Sequence, residues 1–276
     1  MCENKLIYHY TSPKGLEGIL SSQSLWFTDF SVLNDESEGQ YIYNLVDDVL
    51  SSNKYIKEYV NLVKDEISNF NSKYKYFICS FSHNGDSLPM WNYYTKSASK
   101  LGYNVQFNSD DLQTSLQKNI DNKYMSLSLY KVVYDYCEQM EVVETLLDKY
   151  YELFLDGKNI EHLKDFLHLQ IRILRFILKH PSFSYEEESR LILKVESEYF
   201  ESNLGKDNSR FNIRIIEDSI YAPYISLKFN SNELITQITA SPIIKDMLRI
   251  NSLNYLCKKY NLNNCLIKLS DIPLRY

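Results

Sequence analysis

Three charged residues in the last third of the chain, Glu186, Glu188 and Arg190, alternate along a segment that runs into an aliphatic stretch at residues 190–195. That stretch predicts a strand, in which alternate side chains share one face. Two carboxylates at i and i+2 stand roughly 6.5–7 Å apart along a strand, so both can reach one substrate. We expect Glu188 at a solvent-reachable strand end. A catalytic acidic pair and a solvated strand end with an ion pair to Arg190 both fit this pattern.

A second candidate is His9, which lies in an aromatic and β-branched segment at residues 5–10. This composition predicts a strand, and Ser12 followed by Pro13 predicts a capped helix directly after it. In a strand, His9 shares a face with Ile7, whereas Tyr8 and Tyr10 face the other way. A histidine in such a setting is either a ligand-binding residue or a satisfied core residue, and the spacing leaves both open.

A third group combines hydroxyls with aromatic rings. Ser80 and Ser82 alternate in a predicted strand at residues 74–82, so both hydroxyls face one side. Trp91 and Tyr94 are three residues apart in a predicted helix at residues 88–94, which places them on one helical face. That face either stacks on a planar ring or belongs to an aromatic core cluster.

Composition and motifs exclude several classes of protein. The 276 residues carry 30 Lys and Arg against 36 Asp and Glu, and this net charge of −6 disfavours a tight nucleic-acid coat. The sequence contains neither GxGxxG nor GxxxxGK[ST], the two common phosphate-binding loops. The five cysteines form no CxxC pair, and His162 and His168 are too poorly aligned on one helix to bind a metal together. The absence of a signal-like start or a long apolar run predicts a cytoplasmic protein that does not contact the membrane.

The order of the predicted elements indicates an α+β fold. Strands are predicted near both ends of the chain, with helical periodicity at residues 40–70 and from 138 to 180. A further strand is predicted at residues 130–136, and a polar loop at residues 34–39. Without a linker or an internal repeat, residues 1–276 are expected to form a single domain with a helical insert at about 138–180.

Several stretches resemble the bacterial DUF2971 family, in the family's order. They begin with LIYHYTSPKGLEGIL and FICSFSHNGDSLPMWNYY, and continue with KHPSFSYEEESRLILKV, YAPYISLKF, ITQITASPII and LIKLSDIPLRY. One departure is visible, because Ser189 stands where the family usually has a tryptophan between the last glutamate and the arginine. This departure implies that a bulky pocket wall is missing or is supplied elsewhere.

The opening YHYTSPKGLEGIL also resembles the first motif of the ADP-ribosyltransferase superfamily. This resemblance implies a split β-sheet with flanking helices and with NAD bound in the cleft. It assigns His9 to a ribose of NAD, and Tyr10, Thr11, Ser80 and Ser82 to the surrounding cofactor site. No metal is implied.

The same resemblance assigns the late acidic pair to catalysis. Glu188 would bind the ribose 2′-hydroxyl and stabilise the positive charge that develops on the ribose, and Glu186 would orient or deprotonate the acceptor. Arg190 would contact the cofactor, and Trp91 and Tyr94 would flank its nicotinamide or adenine.

The predicted function is therefore an NAD-dependent ADP-ribosyltransferase-like enzyme with a protein or nucleic-acid acceptor. Its expected setting is a bacterial toxin or phage-defence effector, with an antitoxin or inhibitor as a further partner. NAD glycohydrolase activity and a non-catalytic binding module on the same fold stay open. RNA 2′-phosphotransferase activity also fits the fold, but the acidic strand argues against it.

Overall fold

The computed structural model describes residues 5–32, 36–68, 73–95, 101–207, 210–216, 220–244 and 247–273. Contacts divide the chain into two compact units. Unit 1 comprises Met1–Val32, Lys73–Tyr130 and Tyr185–Tyr276, and it contains the candidate site residues. Unit 2 comprises Leu33–Ser72 and Lys131–Ser184.

Within the described ranges, ten strands form one sheet. The strands are β1 Leu6–Thr11, β2 Ser24–Asp29, β3 Tyr74–Ser82, β4 Tyr103–Asn108, β5 Met125–Lys131, β6 Glu188–Glu196, β7 Phe211–Ile216, β8 Ile220–Lys228, β9 Gln237–Ala240 and β10 Leu266–Leu269. Their order is β10-β9-β4-β1-β3-β2-β8-β7, with β6 also paired to β3 and β5 paired to β6. Strands β9 and β10 pair in parallel, whereas β3 pairs with β1, β2 and β6 in antiparallel fashion.

Helices lie between these strands along the described chain. They are α1 Pro13–Ser22, α2 Glu36–Leu50, α3 Lys57–Ser68, α4 Leu88–Tyr94, α5 Ser109–Gln117, α6 Tyr136–Leu155, α7 Ile160–Ile177, α8 Ser197–Asn203, α9 Ser231–Leu234 and α10 Met247–Lys259, with 3₁₀ turns at Phe30–Val32 and Pro181–Glu186. The predicted cap at α1 is present, because the Ser12 hydroxyl accepts a hydrogen bond from the Gly15 amide at 3.0 Å.

The core of unit 1 is built on one face of the sheet. Alternate residues of neighbouring strands, such as Ile7, Phe77, Phe107 and Leu191, are fully buried there. The alternation is the period of two that strand residues require when one face is covered. This packing fixes which side chains of β1, β3 and β6 remain for other roles.

Strand β3 is the point at which the sheet splits. Along one edge, β3 pairs with β6 over its whole length, from Tyr74 to Ser82. Along its other edge, the described pairs join Ser82 to β1 and join Phe77 and Ile78 to β2. Residues 79–81 therefore lie opposite a gap between β1 and β2, where backbone groups of β3 need partners other than a strand.

Unit 2 is helical. Helices α2, α3, α6 and α7 bury a separate core that includes Ile42, Tyr59, Val143 and Leu167. The helices predicted from 138 to 180 are present as α6 and α7, and Gly157 lies between them with a φ of 68°. The grouping of α2 and α3 with them was not predicted from the sequence.

The α+β class is confirmed, and three local predictions differ from the structure. The strand predicted at residues 130–136 lies at Met125–Lys131, and the helix at Ser109–Gln117 was not predicted. Of the polar loop predicted at residues 34–39, positions 34 and 35 lie outside the described residues, and α2 already begins at Glu36.

The described residues contain neither a membrane-spanning helix nor a cluster of metal ligands. No helix among them is both long enough and apolar enough to cross a membrane. In the same residues, no cluster of three or more His, Cys, Asp or Glu side chains is arranged to hold a metal ion.

Candidate functional site

His9 lies on β1 beside the gap in the sheet, and its ring provides a partner for β3. Its Nδ1 is 2.9 Å from the carbonyl oxygen of Ser80. A carbonyl only accepts, so Nδ1 carries the hydrogen and Nε2 is left as an acceptor. Within the described residues nothing bonds to Nε2. The ring also packs on Phe81, with their centroids 5.6 Å apart.

The electrostatic setting of His9 favours the neutral imidazole. Burial lowers the pKa of His9 below its ordinary value, and the positive charge of Arg214 lowers it further. The bond to Ser80 acts in the opposite direction but does not reverse the shift. At neutral pH the ring is therefore an uncharged acceptor at Nε2, which suits a hydroxyl donor on a ligand.

The two predicted serines of β3 differ in availability. Ser80 is exposed, and it is the one position of the fully described strand β3 that is. Ser82 is buried; its hydroxyl donates to the Glu186 carbonyl at 2.7 Å and accepts from the Asn84 amide at 3.0 Å. Ser80 is thus available to a ligand, whereas Ser82 holds the chain segments around it.

Glu188 and Arg190 form a buried ion pair on β6. The guanidinium donates from Nε to Oε1 at 2.7 Å and from Nη2 to Oε2 at 2.9 Å. Glu188 is 6% exposed and Arg190 is 5% exposed. The predicted shared face of these two residues is confirmed, but the expectation of a solvent-reachable Glu188 is wrong. The strand end is covered, and the ion pair compensates the cost of burying both charges.

Glu186 is not on the strand, contrary to the predicted alternation. It ends the 3₁₀ turn Pro181–Glu186, and β6 begins only at Glu188. Between them Glu187 has a φ of 44°, a left-handed conformation that breaks the extended chain. The two carboxylates therefore approach the site from different elements.

Tyr94 links α4 to this acidic group. Its hydroxyl donates to Glu186 Oε1 at 2.6 Å. Burial and the negative charges of Glu186 and Glu188 raise the pKa of Tyr94, so the hydroxyl keeps its proton. The sequence did not indicate this polar contact of Tyr94. The role of Tyr94 beside a planar ring stays a prediction.

Trp91 lies in a packed aromatic cluster. It is 2% exposed, its ring meets Tyr10 edge-on at 4.6 Å, and its Nε1 donates to Asp86 at 2.8 Å. Of the two arrangements open for Trp91, the core cluster is therefore the one observed. A stacking role for Trp91 would require this cluster to open.

Tyr10 and Thr11 end β1 next to that cluster, and both are buried. The Tyr10 hydroxyl donates to the Asn84 carbonyl at 2.8 Å and accepts from the Ser87 amide at 3.1 Å. Tyr10 therefore anchors the loop that follows β3 rather than presenting its hydroxyl to solvent.

The loop after β3 is tied to the start of β6. The His83 amide donates to the Glu187 carbonyl at 2.8 Å, and His83 Nε2 lies 2.7 Å from the Ser189 hydroxyl. Ser189 is buried, so this position, where the family usually has a tryptophan, is filled by a contact between a serine and a histidine. These bonds fix the position of Glu188 relative to β3.

Arg214 on β7 is a site residue that sequence reasoning missed. Its Nη2 donates to the Thr28 hydroxyl at 2.6 Å, and its positive charge lowers the pKa of His9. The available signal was the one charged residue within FNIRII, a strand that is otherwise apolar apart from Asn212. Such a cation in a sheet needs a reason for being there.

Strand order brings the main candidates together. Tyr8 of β1, Ser82 of β3 and Glu188 of β6 share one cross-strand row. Because strands are spaced about 4.8 Å apart, His9 and Glu188 belong to strands about 10 Å apart, with Ser80 between them. Ser80, Ser82, Glu188 and Arg190 share the face of Tyr8, whereas His9 alternates to the face of Ile7 and reaches the Ser80 carbonyl at the gap.

Of the comparisons with known proteins, the one with protein families gives a match. Neither the curated proteins nor the solved structures include a significant match. The range 90–191 of the chain includes Tyr94, Glu186, Glu188 and Arg190, whereas His9 and Ser80 precede it. Residues 90–191 match the family described as a protein of unknown function, DUF2971. This match confirms the predicted resemblance to that family.

Proposed function

We propose that this protein is an NAD-dependent ADP-ribosyltransferase-like enzyme whose acceptor is a protein or a nucleic acid. The observation that supports this most directly is the placement of His9 at the gap in the sheet. Its ring is hydrogen-bonded to the Ser80 carbonyl of β3. Strand β3 lies between His9 on β1 and the pair of Glu188 and Arg190 on β6. A split sheet with these groups is what the sequence resemblance implies.

His9 and Ser80 fit the ribose of NAD. The neutral Nε2 of His9 accepts a hydrogen bond from a ribose hydroxyl at the gap. The exposed Ser80 hydroxyl can donate or accept on the opposite face of the sheet. The bond to the Ser80 carbonyl fixes the ring, so Nε2 is oriented before a ligand arrives.

Glu188 supplies the negative charge that the reaction needs. When bound, NAD supplies an activated ribose, on which positive charge develops as the bond to nicotinamide breaks. The two hydrogen bonds from Arg190 fix the orientation of the Glu188 carboxylate. In this dry setting its charge stabilises a nearby positive charge more strongly than it would in water.

Glu186 and Tyr94 complete the proposal on the acceptor side. Glu186 orients the attacking group and takes its proton, and Tyr94 holds the carboxylate in place through the 2.6 Å hydrogen bond.

The buried Glu188–Arg190 pair also favours a second candidate, a non-catalytic module that binds NAD or a related nucleotide. Both oxygens of Glu188 already accept bonds from Arg190, and the carboxylate is 6% exposed. A carboxylate held in this way can serve structure alone. The two candidates differ in turnover and agree in binding.

Nicotinamide release tests the proposal. The protein is incubated with NAD alone, with RNA and with cell lysate, and Glu188→Gln is compared with Glu187→Gln. The second variant makes the same charge change at an exposed neighbouring residue. Release that requires an acceptor and is lost only in Glu188→Gln, with a thermal melt showing this variant folded at the assay temperature, supports the transferase. Release in buffer alone indicates a hydrolase.

Other outcomes count against the enzyme. NAD binding without release in any condition supports the binding module. Absence of both binding and release refutes the proposal, as does full activity of Glu188→Gln.

A further inference from the structure

Arg214 carries a positive charge that no described carboxylate compensates. Among the described residues, its side-chain hydrogen bond is the one that Nη2 donates to the Thr28 hydroxyl at 2.6 Å. Its Nε is buried and, among the described residues, has no hydrogen-bond partner. Arg190, in contrast, has a carboxylate partner at both Nε and Nη2.

This arrangement has a cost that a structural arginine would avoid. Burial lowers the pKa of Arg214, which means that its environment disfavours the charged form. Arg214 is half-buried, and a charge that is partly removed from water without a counter-charge loses hydration without full replacement. A guanidinium has five N–H donors, and three of those on Nη1 and Nη2 have no recorded bond within the described chain.

Two aromatic rings hold this guanidinium. Its Cζ lies 5.2 Å from the ring centroid of Trp26 and 5.8 Å from that of Tyr224. The two rings are themselves 4.6 Å apart. Such cation–π contacts position an arginine but leave its edge free for an anion. Trp26 is 42% exposed, so its ring can also be reached by a planar group of a ligand.

The cluster lies next to the candidate site. Thr28, which holds Arg214, pairs with Ile78 on β3, two residues from Ser80. The charge of Arg214 acts on both His9 and Cys79. A ligand group bound by Arg214 would therefore lie on the face of the sheet that carries Ser80, near the edge of β3 that His9 contacts.

We propose that Arg214, held by Thr28, Trp26 and Tyr224, is a binding subsite for the phosphate groups of a nucleoside diphosphate. Guanidinium donors match phosphate oxygens in geometry and charge, and an exposed indole next to them suits a base. The subsite follows from the contacts of Arg214 alone. It rests on the proposed function only in that the nucleotide would be part of NAD.

Calorimetric titration of the intact protein with ADP, inorganic pyrophosphate and a short single-stranded oligonucleotide tests this subsite. Arg214→Gln removes the charge, and Arg214→Lys keeps the charge but loses the fork. Arg210→Gln is the matched control, because Arg210 lies at the start of the same strand, with its guanidinium on the exposed carbonyl of Asn119. Thermal melts of each variant establish that it is folded.

We expect ADP to bind more tightly than pyrophosphate, and Arg214→Gln to weaken ADP binding about tenfold or more. Arg214→Lys should recover part of that loss, and Arg210→Gln should match the unmodified protein. Binding of ADP should also change the fluorescence of Trp26, and Trp26→Phe should remove that signal while calorimetry still detects binding.

Three results would overturn the inference. The first is no ADP binding by the unmodified protein, and the second is equal weakening by Arg210→Gln. The third is a preference for pyrophosphate or the oligonucleotide over ADP. If ADP binds through Arg214 but nicotinamide is never released, the subsite stands and the proposed enzyme activity fails.

Discussion

The buried pair of Glu188 and Arg190 predicts that Glu188→Gln destabilises unit 1. Both side chains are at most 6% exposed, and two hydrogen bonds of 2.7 and 2.9 Å join them. Replacing the carboxylate by an amide removes the negative charge of Glu188 from beside the buried Arg190 guanidinium. The amide oxygen can still accept one of the two bonds, but the amide nitrogen cannot accept the other.

The expected loss follows from these contacts. Removing one member of a buried ion pair costs about 3–5 kcal/mol, because the remaining charge stays desolvated. The one bond that glutamine retains places Glu188→Gln at the lower end, about 3 kcal/mol. Arg190→Met should cost a similar amount, whereas the double variant should cost less than the sum of the two, because no lone charge remains buried.

Tryptophan fluorescence in a urea titration measures this loss in the relevant unit. The chain has two tryptophans, Trp26 and Trp91, and both belong to unit 1. Glu187→Gln is the control, since Glu187 is exposed and should change the free energy of unfolding by less than about 0.5 kcal/mol. If Glu188→Gln behaves like Glu187→Gln, or if the single variants add in the double variant, the ion pair does not stabilise the fold as argued.

Three further predictions concern other groups of unit 1. Because folding lowers the pKa of His9, the unfolded chain binds the His9 proton more tightly than the folded chain does. Unit 1 should therefore lose stability as pH falls through about 6.5. Urea titrations at several pH values measure this loss, and His9→Gln should make stability less dependent on pH. Gly85→Ala would place a Cβ 2.5 Å from the Tyr8 ring and should cost about 1–3 kcal/mol, and an unchanged urea midpoint would contradict that packing. Burial raises the pKa of the Cys79 thiol to about 12. An alkylating reagent at pH 8 should therefore modify exposed Cys137 and leave Cys79 unmodified until urea unfolds the protein. Modification of Cys79 before unfolding, detected by mass spectrometry, would refute this.

Local sequence patterns predicted most elements because their signals are local. The strand at Tyr74–Ser82 and the helix at Leu88–Tyr94 have the predicted bounds, since each combines a clear composition with turn residues at its ends. The helix Ser109–Gln117 was missed although its cap is local. Asn108 accepts bonds from the amides of Asp110 and Asp111, a signal that the polar composition of this segment concealed.

The site was harder to predict, because its geometry depends on strand order. Alternation correctly placed Glu188 and Arg190 on one face, but it also extended the strand back to Glu186. The left-handed Glu187 interrupts the strand there, and a glutamate at positive φ has no local sequence signal. Burial of Glu188 likewise comes from tertiary packing, so a charge-rich segment was interpreted as a solvated end.

Arg214 also shows why the site was hard to predict from the sequence. Nothing near it in the sequence indicates a nucleotide site, because its partners Thr28, Trp26 and Tyr224 come from β2 and β8. The pairing of β8 with both β2 and β7 brings them together. Long-range register of this kind cannot be predicted from one sequence by periodicity.

Strand β3 orders the three polar groups along its length, and this order gives the proposed ligand a direction. Glu188 pairs with Ser82, His9 bonds to Ser80, and Thr28 pairs with Ile78 beside Arg214. Successive levels are two residues apart, roughly 6.5–7 Å, so the series spans about 13 Å. The charge of Arg190 is neutralised by Glu188, whereas that of Arg214 is not, so phosphates favour the Ile78 level. A nucleotide with its phosphates there and its ribose beside Ser80 would extend its reactive carbon toward Glu188, the group that the proposal makes catalytic.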